Sequence, residues 1–350
     1  MSRNAIESRE RASGPAAAAR WTEQGIHSLT ARGEPRTTPF TVRAPASSAN
    51  LGPGFDALGL ALDLWNDLDV DPMVSEDRVT ILGRDAELLT GLGGEPHENL
   101  VLRAMRQLAE AHGWALPPVG LTFRNAIPVS RGLGSSAAAL VAGLIAADAL
   151  LGLGLSRDEL YGHAWRMEGH GDNVGAALYG GAILAVPGVA TAIQLIGHPG
   201  ASTGLDDMAA VVFIPEITGA TWAARAALPE RIPHTDAAWN LAMTAGIVAA
   251  FLTGDRQVLA ASMNDRLHQP YRARLFPHLD PVSRAATNAG AIGACLSGAG
   301  PTVLALTDRP AIEDVVAGVT DAASRTRVLG ETVVLNLTRQ GASLGPAPSL

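Results

Sequence analysis

Apolar residues recur along this chain in two ways: short aliphatic runs, and longer stretches with helical spacing. The short runs predict strands at Phe40–Arg43, Val79–Leu82, Gly120–Phe123, Ala182–Val186, Ala209–Ile214, Thr302–Leu306 and Thr332–Leu337. The longer stretches predict helices at Leu100–Ala111, Ser135–Leu151, Arg157–Glu168, Ala237–Leu252, Arg256–Met263, Pro281–Ala289 and Ile312–Ser324. Strands and helices do not alternate strictly, which favours an α+β fold over a doubly wound one. Two stretches are apolar enough to suggest membrane spans. Ser136–Leu155 is interrupted by Asp148, Gly152 and Gly154, and Leu241–Leu252 falls short of the ~20 residues a span needs. Both read as core helices.

The pattern fades at the two ends. Residues 1–36 hold Arg, Ser, Ala and Glu without apolar periodicity or the apolar segment of a secretory signal, and predict a disordered N-terminal extension. The Gly- and Pro-containing stretch Gly197–Gly204 is the best internal boundary. It separates an N-terminal domain over 37–197 from a C-terminal domain over 198–340, with a tail over 341–350.

Composition narrows the function. Aromatic residues are 4% of the chain, which argues against base-stacking platforms, and the net charge of −8 argues against nucleic-acid and anionic-membrane partners. All 26 basic residues are arginine. The missing lysine excludes a Walker A phosphate loop, a Schiff base and a lysine general base. The single cysteine, Cys295, excludes intrachain disulfides and Cys-rich metal sites, and it reads as a small buried residue. A reducing, cytoplasmic compartment is expected.

Residues 128–140 read P-V-S-R-G-L-G-S-S-A-A-A-L. Glycines and serines ahead of an Ala-rich helix make an anion site: the first helical N–H groups have no internal partner, and the helix dipole favours phosphate. The plain alternative is a Gly-rich loop with a serine helix cap. Two more polar Gly/Pro-rich stretches shift the balance, A-P-A-S-S-A-N-L-G-P-G-F-D over 44–56 and G-A-C-L-S-G-A-G-P-T over 293–302.

These three stretches resemble the signature motifs of the GHMP kinases, and most closely those of the homoserine kinase branch. P-A-S-S-A-N-L-G-P-G-F-D-A-L-G over 45–59 resembles its first motif. E-G-H-G-D-N-V over 168–174 resembles its E-G-H-P-D-N-V, and D-R-L-H-Q-P-Y-R over 265–272 its D-R-L-H-E/Q-x-Y-R. The resemblance spans about residues 40–338. It implies a two-lobed α+β fold, with an N-terminal lobe like ribosomal protein S5 domain 2, a ferredoxin-like C-terminal lobe and the site between them. It also implies a kinase using ATP and Mg²⁺ on the side-chain hydroxyl of L-homoserine, in threonine biosynthesis, and often a homodimer.

By that resemblance Pro128, Arg131, Gly132, Leu133, Gly134, Ser135 and Ser136 wrap the triphosphate, with Asn99 near the adenine and Gly298 and Gly300 shaping the loop from below. Ser136 and Glu168 hold the magnesium. Arg225, in a T-x-x-x-R-x-x-L-P pattern beginning at Thr221, and Arg272 take the amino-acid carboxylate, since arginine offers planar paired donors. Asp56 accepts the ammonium. Asn50, His170, Asp172 and Asn173 line the pocket and orient the hydroxyl. Asn173 stands where related kinases carry a catalytic aspartate, and lysine is absent, so no strong general base is expected. Gly171 replaces the family's usual proline, and Gly175 stands where alanine is common. Both suggest a looser loop or a pocket reshaped for another hydroxy amino acid. A catalytically silent sensor of the same fold is the remaining alternative.

Overall fold

The computed structural model describes residues 33–93, 98–195 and 207–346. The expected break at Gly197–Gly204 and most of the N-terminal extension lie outside the described residues. Those of the extension that are described are held: Gly33 N donates to Gly152 O and Arg36 N to Ala149 O.

The first lobe is built on the hairpin of β1 (Phe40–Asn50) and β2 (Gly54–Asp71). The sequence reading stops β1 at Arg43 and treats 44–56 as a loop; the structure corrects this. Ser47 and Ser48 are fully buried within the strand, where they face the other motifs instead of solvent. Asn50, Leu51 and Gly52 turn the chain with positive φ, and β2 leaves at once. Its second half, Asp67-Leu68-Asp69-Val70-Asp71, alternates acidic and buried apolar positions, the period of a half-exposed strand.

β3 (Arg78–Gly83), β4 (Gly120–Asn125), β5 (Ala182–Leu184), β6 (Ile193–Gln194) and β11 (Ser343–Pro346) complete a seven-stranded sheet, with the path β11-β1-β2-β4-β3 and β5–β6 paired to β2. β11 forms inside the segment expected to be a tail, and it pairs antiparallel with Phe40–Arg43. The first lobe is therefore not continuous in sequence. The chain's end returns to it: Gly181 N donates to Thr338 O, and Ala342 N to Ala177 O.

Helices α1 (Ala86–Gly93), α2 (Leu100–Ala111), α3 (Ser135–Leu151), α4 (Arg157–Glu168) and α5 (Asp172–Tyr179) belong to this lobe. α3 is buried on nearly all sides, which explains its uniformly apolar sequence. α5 is absent from the sequence reading because its start, Gly171-Asp172-Asn173, carries no side-chain cap.

The second lobe contains β7 (Met208–Pro215), β8 (Gly293–Leu296), β9 (Val303–Asp308) and β10 (Gly330–Asn336) in the antiparallel order β10-β7-β9-β8. With α10 (Leu279–Asn288) before β8 and α11 (Ile312–Thr326) before β10, this is the ferredoxin-like βαββαβ order. β7 is buried at every position. Ala210, Val212 and Ile214 join the large core shared with the first lobe, while Val211 and Phe213 join a smaller core under α10 and α11.

Between β7 and α10 lie α6 (Thr221–Ala226), α7 (His234–Thr253), α8 (Arg256–Ser262) and α9 (Gln269–Arg272). α7 is longer than its sequence pattern suggests, and by length and composition alone it would cross a membrane. Its buried Asn240 donates to Pro53 O and Asp265 Oδ1, which ties it into the lobe contact.

Candidate active site

The three motif stretches meet and are stitched together. Ser47 N donates to Leu133 O, Gly298 N to Ala49 O and Thr302 N to Arg131 O. Asn50 Nδ2 donates to Gly298 O at 2.9 Å, and the Ser297 hydroxyl to Gly132 O at 2.6 Å. Gly132 and Gly134 have φ of 80° and 69°, and a Cβ there would lie 2.2 Å from Ser297 O and 2.1 Å from Ser47 Oγ. Only glycine lets the three loops close this tightly.

Around this junction lies a cavity of about 460 Å³. Every residue that the sequence reading names for the site lines it, from Asn50 in β1 to Gly300 in the third motif. Part of the wall is apolar: Leu68, Val79, Ile81, Leu121 and Phe123 come from the sheet, and Leu100 and Val101 from α2. Such a slot suits a flat heterocycle. Asn99 stands beside it as the N-cap of α2, accepting from Val101 N and Leu102 N.

At the other end of the loop, α3 begins after Gly134 in αL conformation, with no side-chain cap. Among the described residues no side chain caps its first N–H groups, which stand at the cavity wall next to the Ser135 and Ser136 hydroxyls. That donor set fits polyphosphate. Ser136 and Glu168 add the hydroxyl and carboxylate oxygens that magnesium takes. Burial raises the Glu168 pKa above the ordinary value, helped by Asp172 and opposed by His170 and Arg225. Arg131 lines the cavity and also ties the loop in place. Its guanidinium donates to Pro215 O, Glu216 O and Val129 O and pairs with the Asp85 carboxylate, which anchors the loop to the second lobe.

The polar end is charged. Arg225 grips Asp56 with two bonds, at 2.8 and 3.0 Å, across the two lobes. Arg272 is buried and donates to Ala224 O, Gly298 O and His268 Nδ1. Burial pushes its pKa down to about 10, with Arg225 adding to this and Asp56 and Asp265 opposing, so it stays cationic at neutral pH. His170 Nδ1 lies 2.6 Å from Asp172 Oδ1. Burial works against the imidazolium, but the Asp172 hydrogen bond and the charges of Asp172, Glu168 and Asp56 prevail and raise the His170 pKa. Asp172 Oδ2 is buried without a hydrogen-bond partner among the described residues, an acceptor set for a ligand. Asn173 Oδ1 accepts from the Ser47 hydroxyl, which fixes the amide and leaves its Nδ2 as the donor end.

Several positioning residues went unread in the sequence. Neutral His268 bridges the first motif to Arg272: its Nε2 donates to Gly52 O and its Nδ1 accepts from Arg272. Burial holds its pKa below the ordinary value, with Asp265 opposing and Arg272 reinforcing. Asp265 in turn accepts from the backbone N–H groups of Leu267, His268 and Gln269. The spacing of D-R-L-H-Q-P-Y-R held that signal, since an aspartate accepting from the next turn is a recurrent local motif. Cys295 is fully buried, its thiol pKa pushed up to about 12 by burial, and it has no part in the chemistry.

Gly171 is not a loosening. A Cβ there would lie 2.3 Å from the Trp165 ring and 2.3 Å from the Tyr161 hydroxyl, so these aromatics fill the space a larger residue would need. Gly175 is similarly covered by Ile183, Ala192 and Tyr161. Gly171→Ala is expected to cost about 1–3 kcal/mol by overpacking. The readout is a lower denaturant midpoint, and Trp165→Leu in the same chain should recover part of it.

Comparison with known proteins agrees with this geometry. Residues 99–181 match the GHMP kinases N terminal domain, and residues 247–324 the GHMP kinases C terminal domain. Homoserine kinase of Gloeobacter violaceus is 44% identical over 278 residues, 78% of this chain and 89% of that one. Homoserine kinase of Desulfitobacterium hafniense is 38% identical over 303 residues, 87% of this chain and 99% of that one. The chain belongs to the homoserine kinase family. The crystal structure of homoserine kinase from Cytophaga hutchinsonii superposes with a TM-score of 0.77 at 28% identity, covering 89% of this chain and 98% of that one. In this family the alcohol-phosphorylating kinase fold places the lobes as found here, and kinase membership brings ATP use with it.

Proposed function

We propose that this chain transfers the γ-phosphoryl group of ATP to the side-chain hydroxyl of L-homoserine, giving O-phospho-L-homoserine for threonine synthesis in the cytoplasm. The observation that carries this reading is the Asp56–Arg225 pair, with Arg272 beside it in the cavity. An α-amino acid carries its carboxylate and ammonium on one carbon. A side-by-side arginine and aspartate complement that zwitterion, with the carboxylate on Arg225 and Arg272 and the ammonium on Asp56. A hydroxy acid without an amine would leave Asp56 unmatched.

In the same reading the adenine enters the apolar slot, and the triphosphate lies along the loop from Pro128 to Ser136. Ser136 and Glu168 would hold magnesium, which supplies charge neutralisation on the transferring phosphoryl oxygens. His170, Asp172 and Asn173 bind and aim the hydroxyl. The orphaned Asp172 Oδ2 accepts a hydrogen bond from the substrate, and Asn173 Nδ2 donates one. The hydroxyl attacks the γ-phosphorus as the bond to the β–γ bridging oxygen breaks, and its proton leaves to a phosphate oxygen or water. Alignment and fixed charge carry the rate without a strong general base.

The test is ADP release with Mg-ATP and a panel of L-homoserine, D-homoserine, L-serine, L-threonine and mevalonate. Turnover with L-homoserine well above the others is expected. Preference for a different hydroxy amino acid would move the reading to a relative of altered specificity. Tight ATP binding without turnover of any alcohol would make the chain a silent sensor.

A further inference from the structure

Away from the cavity, two imidazoles face one another. His112 follows the last turn of α2, and His163 lies within α4. Their Nε2 atoms are 3.2 Å apart, their ring centroids 5.2 Å apart and their planes tilted by 46°. Both are half-buried, so solvent reaches the pair. A single proton fits between the two nitrogens, so one Nε2 donates and the lone pair of the other accepts. Burial pushes the His163 pKa down to about 4, reinforced by Arg166 and His112 and opposed by Glu159. At neutral pH His163 is uncharged, the form that ligates metals.

The spacing suits a shared ion as well as a shared proton. Two nitrogens on a tetrahedral zinc, with bonds of about 2.05 Å, stand roughly 3.3 Å apart. Rings aligned along those bonds have centroids roughly 5.2 Å apart. The pair thus already has the bite of a metal chelate, and loading it means displacing one proton. We propose that His112 and His163 form a binding site for a late divalent transition metal, zinc foremost, with water completing its coordination. Two imidazoles select such ions over magnesium and calcium, so the Mg²⁺ of the kinase reaction does not compete. Asp148 near His112 and Glu159 near His163 contribute negative potential, which offsets part of the positive field of Arg166 at His163. The C-terminal pole of α2 contributes the same sign. A metal here clamps α2, which begins after Asn99, to α4, which ends at Glu168, and both of those residues line the cavity.

The experiment is calorimetric titration of the full-length, tag-free chain with ZnCl₂, alongside thermal unfolding with and without Zn²⁺. Asp56, His170 and Asp172 bring ligand atoms within 4.8 Å of one another and are the competing site among the described residues. His170→Ala controls for it. His163→Gln keeps an amide to bond His112 but offers zinc no imidazole; His112→Ala is the second variant. One zinc equivalent is expected in the wild type and in H170A, and its loss in H163Q and H112A. Saturating Zn²⁺ should raise the wild-type Tm by about 2–4 °C and leave H163Q unmoved. Zinc binding that survives both H163Q and H112A, that disappears in H170A, or that is absent from the wild type would overturn the proposal.

Discussion

Glu168→Gln should lower kcat by about 10²–10³-fold while making the protein more heat-stable at pH 7. On the proposed reading the loss follows from the carboxylate that would hold magnesium: Glu168 lines the cavity, and glutamine has the same shape but no charge. The gain follows from burial, which raises the Glu168 pKa with help from Asp172 against His170 and Arg225. Below the unfolded pKa, Glu168 is neutral in both states and costs nothing. As pH rises, the unfolded chain ionises first, and stability falls until the folded pKa is passed. At neutral pH the wild type carries the penalty accumulated over that rise and E168Q does not. The two Tm curves should therefore converge below about pH 4 and separate above it, with the variant on top. Magnesium and nucleotide should narrow the gap, since a bound cation favours the ionised carboxylate. A variant less stable than wild type at pH 7 would show that Glu168 is held by structure and is not strained for function.

Arg225→Ala should raise the KM for L-homoserine by about 100-fold and leave the KM for ATP near its wild-type value. The guanidinium offers a planar pair of donors, and hydrogen bonds to a charged group contribute about 1.5–3 kcal/mol. In the present geometry both donors are engaged by Asp56 at 2.8 and 3.0 Å, so removal also leaves that carboxylate without its cation. Arg225→Lys should recover little, because an ammonium cannot reproduce the paired contact. Steady-state kinetics varying each substrate separates the outcomes. An equal rise in both KM values would mean that Arg225 holds the lobes together and does not touch the amino acid.

The chemistry of this chain was more legible than its local structure. The residues named for the site all line one cavity, although they sit on strands, helices and loops alike; the motif resemblance reports them whatever element carries them. The elements missed were those whose faces are not solvent against core. Ala44–Asn50 reads as polar loop yet is strand, because Ser47 and Ser48 are buried against two other loops. α5 has no capping residue to announce it, and β11 is a short edge strand whose partner lies about three hundred residues earlier in the chain. The contacts of Arg131 and Gly171 were not legible for the same reason. What each touches, the second-lobe carbonyls in one case and the Tyr161–Trp165 pair in the other, is remote in sequence or invisible to a local pattern.

The return of β11 to β1 sets a schedule for synthesis. A nascent chain that has already made β1, β2, the phosphate loop and Glu168 still lacks an edge of its first sheet. The strand that supplies it, Ser343–Pro346, is made only after the whole second lobe. The nucleotide-binding half therefore cannot finish before the other half is made, and its open edge waits for most of translation as a target for other chains. A product terminated before Ser343 is therefore left with an unfinished sheet.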